Sequence, residues 1–396
     1  MLYRYIGNTG IKASILGFGC MRLPMRPSKE KEPPKNFFDL MKHVDEEKSI
    51  EMIHFAIKKE VNYFDSAYMY HGGVSETVLG KAIRGFRDKL LLATKSPTPM
   101  IQKSQDFDRI LDEQLSKLQT SYLDFYLLHG LGKDGWEKVR DLGALDFLDR
   151  AKKDGRIRKA GFSFHDKFEI FADIIDAYPW DMCQIQYNYF DVDHQAGKKG
   201  LQYAASKGIG IVIMEPLRGG RLTDRVPPEV TKIWYTAPKK RSPAEWALRW
   251  VWNHPEVSVV LSGMSNMDQV VENIAVAEDA VADGLTSLEI DTIDRVADTY
   301  RSKFKVDCTG CEYCLPCPNG VNIPWIFSLY NDQFMFESRE MGSRIYSAMM
   351  PADQRADNCI ECGECEEKCP QQIEIIENLK QAHQLLYQDL ASLAKS

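Results

Sequence analysis

The chain contains no stretch of about 18 consecutive apolar residues, so it lacks the material of a membrane-spanning helix. Its first residues, MLYRYIGNTG, carry no apolar centre of the kind a secretory signal needs. It has no excess of basic residues either: 50 lysines and arginines face 57 aspartates and glutamates, for a net charge of −7. A nucleic-acid surface wants a basic stripe, and that balance argues against one. The run GFGCMRLP (17–24) lacks the third glycine of G-x-G-x-x-G, which counts against a doubly wound dinucleotide sheet. The expectation is a cytoplasmic protein with no nucleic-acid or membrane partner. In that compartment thiols stay reduced, and clustered cysteines are metal ligands more often than disulfides.

What is present is room for a large domain and a small one: 396 residues, 44% apolar and 27% charged. From residue 11 to about 265, short apolar β-rich runs alternate with longer amphipathic stretches. The strand candidates are 15–21, 61–67, 90–95, 123–129, 158–164, 183–188, 208–214 and 257–263. Helical candidates include 46–59, 107–119 and SPAEWALRWVW, where Ser242, Pro243 and Glu245 form a capping box. Eight strands alternating with helices over about 250 residues predict a (β/α)₈ barrel. YRYIGNTGIKAS reads as a hairpin turning at Asn8-Thr9-Gly10 and plugging the barrel floor. The charged insertion 26–46 lies in the first strand-to-helix loop, as a lid or a bland solvated loop. The domains expected are 1–300 for the barrel and 301–396 for an α-rich tail ending in a helix over 371–394.

Barrel chemistry belongs at the carboxyl ends of the strands. There the chain offers Asp65 and Tyr70 (FDSAYMY), Lys95 (ATK) and His129 (LLH). An ammonium beside a phenol stabilises the phenolate and lowers a pKa that is otherwise near ~10. A carboxylate can fix that ammonium, and an imidazole can polarise a carbonyl oxygen. The alternative is a core tyrosine beside a structural ion pair.

These residues carry a resemblance. GFGCMRL, FDSAYMYHGGVSE, LLATK, LDFYLLH, GFSF, QIQYN, MEPLRGG and SGMSN…VVENI resemble the aldo-keto reductase superfamily over roughly residues 1–300. The resemblance implies Tyr70 as general acid for carbonyl reduction, tuned by Lys95, with Asp65 holding Lys95 and His129 orienting the substrate oxygen. It implies hydride from a nicotinamide across the barrel mouth, beside Ser163 and Gln184. Phe164 stands where the family usually has asparagine, and Met214 where it has a stacking aromatic ring. The pyrophosphate is expected near Leu217, Arg218, Gly219 and Gly220. The adenosine is expected at Gly263, Ser265, Asn266, Gln269 and Asn273, the alternative there being a turn and helix cap only. No basic residue lies between Leu261 and Ala280, so nothing in that segment favours NADPH, although Arg218 or Arg221 could reach in. A flavin is the alternative occupant. Tyr68, Phe164, His165, Trp234 and Tyr235 are candidate substrate-lining residues.

Eight of the ten cysteines sit in two runs. Cys359, Cys362, Cys365 and Cys369 have the C-x₂-C-x₂-C-x₃-C-P spacing of bacterial [4Fe–4S] ferredoxins. Cys308, Cys311, Cys314 and Cys317 are one residue shorter before the last ligand. In two-cluster ferredoxins the fourth ligand crosses over, so Cys308, Cys311 and Cys314 are expected with Cys369, and Cys359, Cys362 and Cys365 with Cys317. Zinc in two Cys₄ sites is the competing occupant. Cys20 and Cys183 lie on strands and read as small buried residues. VNIP (321–324) and QQIEI (371–375) match the ferredoxin-like tail of one branch of the superfamily. Three functions remain in view. One is a reductase of a small carbonyl, or oxidant of an alcohol, coupled to two clusters and to an electron-transfer protein. Another is a nicotinamide-dependent reductase with structural clusters. The last is a redox-sensing or docking scaffold without turnover.

Overall fold

The computed structural model describes residues 1–26, 43–224, 226–308, 310, 313–336, 339–369 and 371–388. Cys311 and residues 27–42 of the charged insertion therefore lie outside the described residues. The chain divides into two compact units. One runs through Gly219 and resumes from Arg241 to Ile290; the other takes Gly220–Lys240 and the chain from Asp291 onward.

The first unit is a closed barrel of eight parallel strands preceded by a hairpin. The hairpin pairs β1 (Tyr3–Tyr5) with β2 (Lys12–Ser14). The barrel strands are β3 (Leu16–Gly19), β4 (Tyr63–Asp65), β5 (Leu91–Ser96), β6 (Leu123–Leu131), β7 (Ile157–Phe164), β8 (Met182–Gln186), β9 (Gly210–Met214) and β10 (Val259–Ser262). They follow one another around the ring, and β10 pairs back on β3. Covered inside by packed side chains and outside by helices, parallel strands bury both faces. That is why LGFG and YFD are buried at every position. Ile6, Tyr63, Phe125, Met182, Val212 and Val259 belong to one interior cluster. Ile6 comes from the hairpin, whose Asn8 N–H donates to Gly208 O at 2.8 Å, just before β9 begins. The hairpin thus closes the end of the barrel opposite the strands' carboxyl ends.

The helices obey the same logic. Gln105–Leu118 buries Phe107, Ile110, Leu111, Leu115 and Leu118, an i, i+3, i+4 stripe. At Pro243–Trp252 the Ser242 hydroxyl accepts from Glu245 N at 3.0 Å. The Glu245 carboxylate is engaged by Arg249 Nε at 2.7 Å and Arg241 Nε at 3.2 Å, so its charge goes to two arginines rather than to the return half of the expected box.

In the second unit, helix Ile323–Met335 packs on helix Ile375–Leu386 around Val306, Val321, Ile326, Phe327 and Leu379. The closing helix is shorter than expected at its described ends. Its buried stripe is Ile375, Leu379, Ala382 and Leu386, and the backbone turns extended at Tyr387 once that stripe is spent. Residues 389–394 of the expected helix lie outside the described residues. Among the described residues no helix is long and apolar enough to cross a membrane.

Candidate active site

The ends of β4, β5 and β6 bring together all four polar residues singled out in the sequence. Asp65 is the last residue of β4, and Lys95 is fully buried near the end of β5. Lys95 Nζ donates to Asp65 Oδ1 at 2.5 Å, to Ser66 O at 2.9 Å and to Tyr70 Oη at 3.3 Å. An ammonium has three hydrogens, and these partners use all of them. Burial works against the charge on Lys95, but Asp65 and Tyr70 outweigh it and hold the amine above its ordinary value. The Tyr70 and His129 rings meet edge-on, with centroids 5.8 Å apart. The turn after Tyr70 is pinned from outside: buried His71 sits at φ 52°, and its Nε2 accepts from Leu23 N at 3.1 Å.

One electrostatic expectation is corrected. Lys95 does pull the Tyr70 phenol down, yet burial at the barrel mouth dominates and leaves it above its ordinary value. The phenolate loses more solvation than one ammonium restores. Tyr70 is therefore a protonated phenol facing the mouth. Burial, with Lys95 and His165 adding to it, takes the His129 imidazole down to about 3, so it is neutral at physiological pH.

The nicotinamide candidates divide. Ser163 and Gln184 are nearly fully buried on adjacent strands β7 and β8. Ser163 Oγ accepts from Gly130 N at 2.8 Å, leaving its own proton to give. Gln184 Oε1 is buried with no hydrogen-bond partner among the described residues, and a carboxamide N–H is the kind of donor it lacks. Met214 closes β9, half-buried, and Leu217 and Gly219 follow in a tight turn with Gly219 at φ 68°. Gly220, at φ 90°, opens the second unit.

At the adenosine segment much polar capacity is spent internally. Asn266 caps the helix Met267–Ala277 by accepting from Gln269 N at 2.9 Å. Gln269 Oε1 accepts from Ser265 N at 2.8 Å, and buried Asn273 donates to Ser262 Oγ at 2.9 Å. Asn273 is thus a tie between helix and strand. Beside this segment lies a cleft of about 620 Å³ between Leu23, Met25, Lys48, Glu51, Met52 and Ser265–Met267. Cations reach the region from elsewhere in the chain: Lys48 lines the cleft, and the Arg22 side chain lies on Gly263. Arg218 is instead held by Asp191 at 3.4 Å, and Arg221 by Asp332 within the second unit.

The substrate-lining candidates fare unevenly. Phe164 is fully buried between Phe162 and Phe171, because its side chain falls on the outer face of β7, under a helix. Tyr68 donates to Glu113 at 3.0 Å, on helix Gln105–Leu118. Within the second unit Trp234 is buried, and Tyr235 is 76% exposed. His165 lies within electrostatic reach of His129 and Glu215.

In the second unit Cys308, Cys314, Cys317, Cys359, Cys365 and Cys369 all pack half-buried against one apolar core, and Cys362 is exposed. Burial pushes the Cys365 thiol up to about 11, and Cys359 and Cys317 are close enough to add to the effect. Cys317 therefore lies within electrostatic reach of Cys365 in the second run. Among the described residues no three ligating side chains are yet drawn together as a metal site. Half-buried thiols on a shared apolar floor suit a thiolate-ligated cluster, whose properties depend on how far its sulfurs are kept from solvent. Cys20 and Cys183 are buried in the barrel, where burial raises both thiols.

The family profile described as "Aldo/keto reductase family" matches residues 16–298. The chain belongs to that family. A second profile, "4Fe-4S dicluster domain", matches residues 307–374 and gives this aldo/keto reductase a C-terminal iron–sulfur domain. L-galactose dehydrogenase of Arabidopsis thaliana is 25% identical over 321 residues, covering 76% of this chain and 95% of that protein. Methylglyoxal reductase YeaE of Escherichia coli is 25% identical over 265 residues, covering 63% and 85%. An aldo-keto reductase of Bacillus halodurans, in its holo form, superposes with a TM-score of 0.61 at 25% identity, over 75% of this chain and 96% of that one.

This aldo/keto reductase also holds its tetrad with residues that sequence reading passed over. Glu76 Oε1 accepts from Thr94 Oγ1 and Gln114 Nε2, both at 2.6 Å. Gln114 Nε2 also donates to Lys95 O at 3.0 Å, and its Oε1 accepts from Tyr126 Oη at 2.8 Å. This buried network fixes the backbone behind Lys95. The available signal was Gln114 itself, an amide standing in an otherwise apolar helix stripe.

Proposed function

We propose that this oxidoreductase reduces a small-molecule carbonyl, or oxidises the corresponding alcohol, with Tyr70 as general acid or base. The observation that carries the proposal is the Lys95 ammonium, bridging Asp65 at 2.5 Å and Tyr70 at 3.3 Å. A bound nicotinamide dinucleotide would supply a hydride, and two [4Fe–4S] clusters single electrons. Neutral His129 orients the substrate oxygen toward the Tyr70 hydroxyl by hydrogen bonding without competing for its proton. Tyr70 gives that proton to the oxygen as the carbonyl becomes an alcohol. Lys95 stabilises the phenolate left behind, and Asp65 keeps Lys95 charged and in place. Ser163 and Gln184 offer a donor and an unpaired acceptor on one side of the mouth, a match for a carboxamide.

Cys308, Cys311, Cys314 and Cys369 would hold one cluster, and Cys359, Cys362, Cys365 and Cys317 the other. The chain works in a cytoplasmic setting where these thiols stay reduced. An electron-transfer protein is the partner for the cluster domain. Support for the reductase reading comes also from relatives named as a dehydrogenase and a methylglyoxal reductase.

The test is Tyr70→Phe in anaerobically prepared protein. Turnover with aldehydes and ketones should fall by at least ~10²-fold while dinucleotide binding persists. Unchanged turnover removes Tyr70 from the mechanism.

A further inference from the structure

Tyr346 is fully buried in the second unit, in the apolar core against which Cys359 and Cys365 pack. It lies in a widened helical turn, Ile345–Met349, where Met350 N donates to Ile345 O, five residues back, at 2.9 Å. Turns of that kind recur at functional sites. The Tyr346 hydroxyl has two partners. Its oxygen accepts from Ala356 N at 3.0 Å and meets His383 Nδ1 at 2.7 Å, so its own hydrogen goes to that nitrogen. Ala356 O in turn accepts from Cys359 N at 3.0 Å, which ties the phenol to the root of the second cysteine run. Beyond the imidazole, the Tyr387 ring stacks on His383 with centroids 5.1 Å apart and planes 17° from parallel. Tyr387 is 50% exposed, and Gln388 N holds its segment in place by donating to Ser347 Oγ at 2.9 Å. Phenol, imidazole and phenol thus form a column from the core that the cysteines share out to solvent. A structural tyrosine needs a partner for its hydroxyl, but no exposed phenol stacked behind that partner.

We propose that Tyr346 is a redox-active tyrosine, with His383 as its proton acceptor and Tyr387 as its outlet to the surface, drawing oxidising equivalents away from the cysteine thiolates. The protective part rests on the two-cluster reading given above. Burial pushes the Tyr346 phenol up to about 12, so it is protonated at physiological pH, and an electron leaves it readily only when the proton leaves too. When a peroxide-derived radical takes one electron from Tyr346, the O–H bond breaks and the proton crosses the 2.7 Å hydrogen bond to His383 Nδ1. The products are a neutral tyrosyl radical and an imidazolium. Asp357 Oδ1, 3.8 Å from the same nitrogen, stabilises that cation. Tyr387 then gives Tyr346 one electron, His383 returns the proton, and Tyr387 loses its own proton to water. A soluble thiol restores Tyr387 by giving it a hydrogen atom, and two such thiyl radicals pair as a disulfide. Without the column the oxidant would meet the cysteine thiolates, which climb from sulfenic acid to irreversible products.

Electron paramagnetic resonance of the full-length, cluster-loaded protein tests the assignment, with a one-electron oxidant generated by a flash from ruthenium(II) tris-bipyridine and persulfate. Tyr346→Phe should remove most of the tyrosyl signal seen in wild type. His383→Gln keeps a hydrogen-bonding partner but no proton acceptor, and should lower the radical yield several-fold. Tyr387→Phe closes the outlet and should prolong the Tyr346 signal several-fold. With hydrogen peroxide in place of the flash, Tyr346→Phe should lose its visible cluster absorption several-fold faster than wild type. The assignment is overturned if Tyr346→Phe keeps the wild-type signal, if His383→Gln gives the wild-type yield, or if peroxide bleaches Tyr346→Phe and wild type at one rate. Should Tyr346→Phe fold poorly, the other two variants decide: an unchanged yield in His383→Gln together with an unchanged lifetime in Tyr387→Phe overturns it. The radical readout needs no iron. Wild-type protein that holds no clusters therefore removes the two-cluster reading, while the flash measurement still decides Tyr346.

Discussion

The buried pair of Lys95 and Asp65 makes the sharpest stability prediction. Both side chains are at most 2% exposed, and their charged atoms lie 2.5 Å apart. Lys95→Met keeps the bulk and removes the charge, leaving Asp65 buried with no cation. Breaking a buried pair from one side costs about 3–5 kcal/mol, because the surviving charge keeps its desolvation penalty. Asp65→Asn should cost a similar amount by stranding the ammonium. The double variant leaves no buried charge and should recover most of the loss, giving a coupling energy of at least ~2 kcal/mol. Urea unfolding followed by far-ultraviolet circular dichroism measures all four proteins. If each single variant lies within ~0.5 kcal/mol of wild type, or the double is as unstable as the sum of the singles, the charges are not coupled as the geometry requires. The sign with pH follows from Lys95. Its folded-state value lies above the ordinary 10.5, so its contribution is whole below that pH and is lost as pH rises through the folded value.

Three further outcomes are expected. His129 is lowered from 6.5 to about 3, so the fold binds one proton fewer than the unfolded chain in that window. Stability should fall as pH drops from 6.5 toward 3, and His129→Gln should flatten that limb in a pH series of urea midpoints; an unchanged slope refutes the assignment. Glu76→Ala strands Thr94 and Gln114 as buried donors and should cost about 2–5 kcal/mol, with Glu76→Gln milder, as read by thermal melts. For the clusters, wild type should hold about eight irons, and Cys317→Ser or Cys359→Ser about four. The double variant should still hold about four, because both cysteines serve one cluster. Loss of nearly all iron in the double variant would place Cys317 with the first run.

The eight barrel strands, the barrel helices singled out, the residues at the barrel mouth and the cluster spacing were legible in the linear chain, while the closing helix is shorter than its sequence suggested. Their causes are local: β-rich apolar runs, a 3.6-residue stripe, the D-x₄-Y step that carries a strand end into the next turn, and thiolates at ferredoxin pitch. Phe164 shows where local reading stops. It sits where a cofactor contact was expected, but β7 alternates its faces, and the phase of that alternation turns Phe164 to the outside.

What the sequence by itself determined is therefore the list of parts and the end of the barrel where they gather. Only the tertiary structure decided that Arg22 lies against both Gly219 and Gly263, that Gln114 ties Glu76 to the Lys95 backbone, that burial outweighs Lys95 at Tyr70, and that Cys317 lies near Cys365. Each of these joins residues far apart in the chain. Such meetings are fixed by how the strands close and how helices such as Ile323–Met335 and Ile375–Leu386 pack, and no periodicity along the chain encodes them.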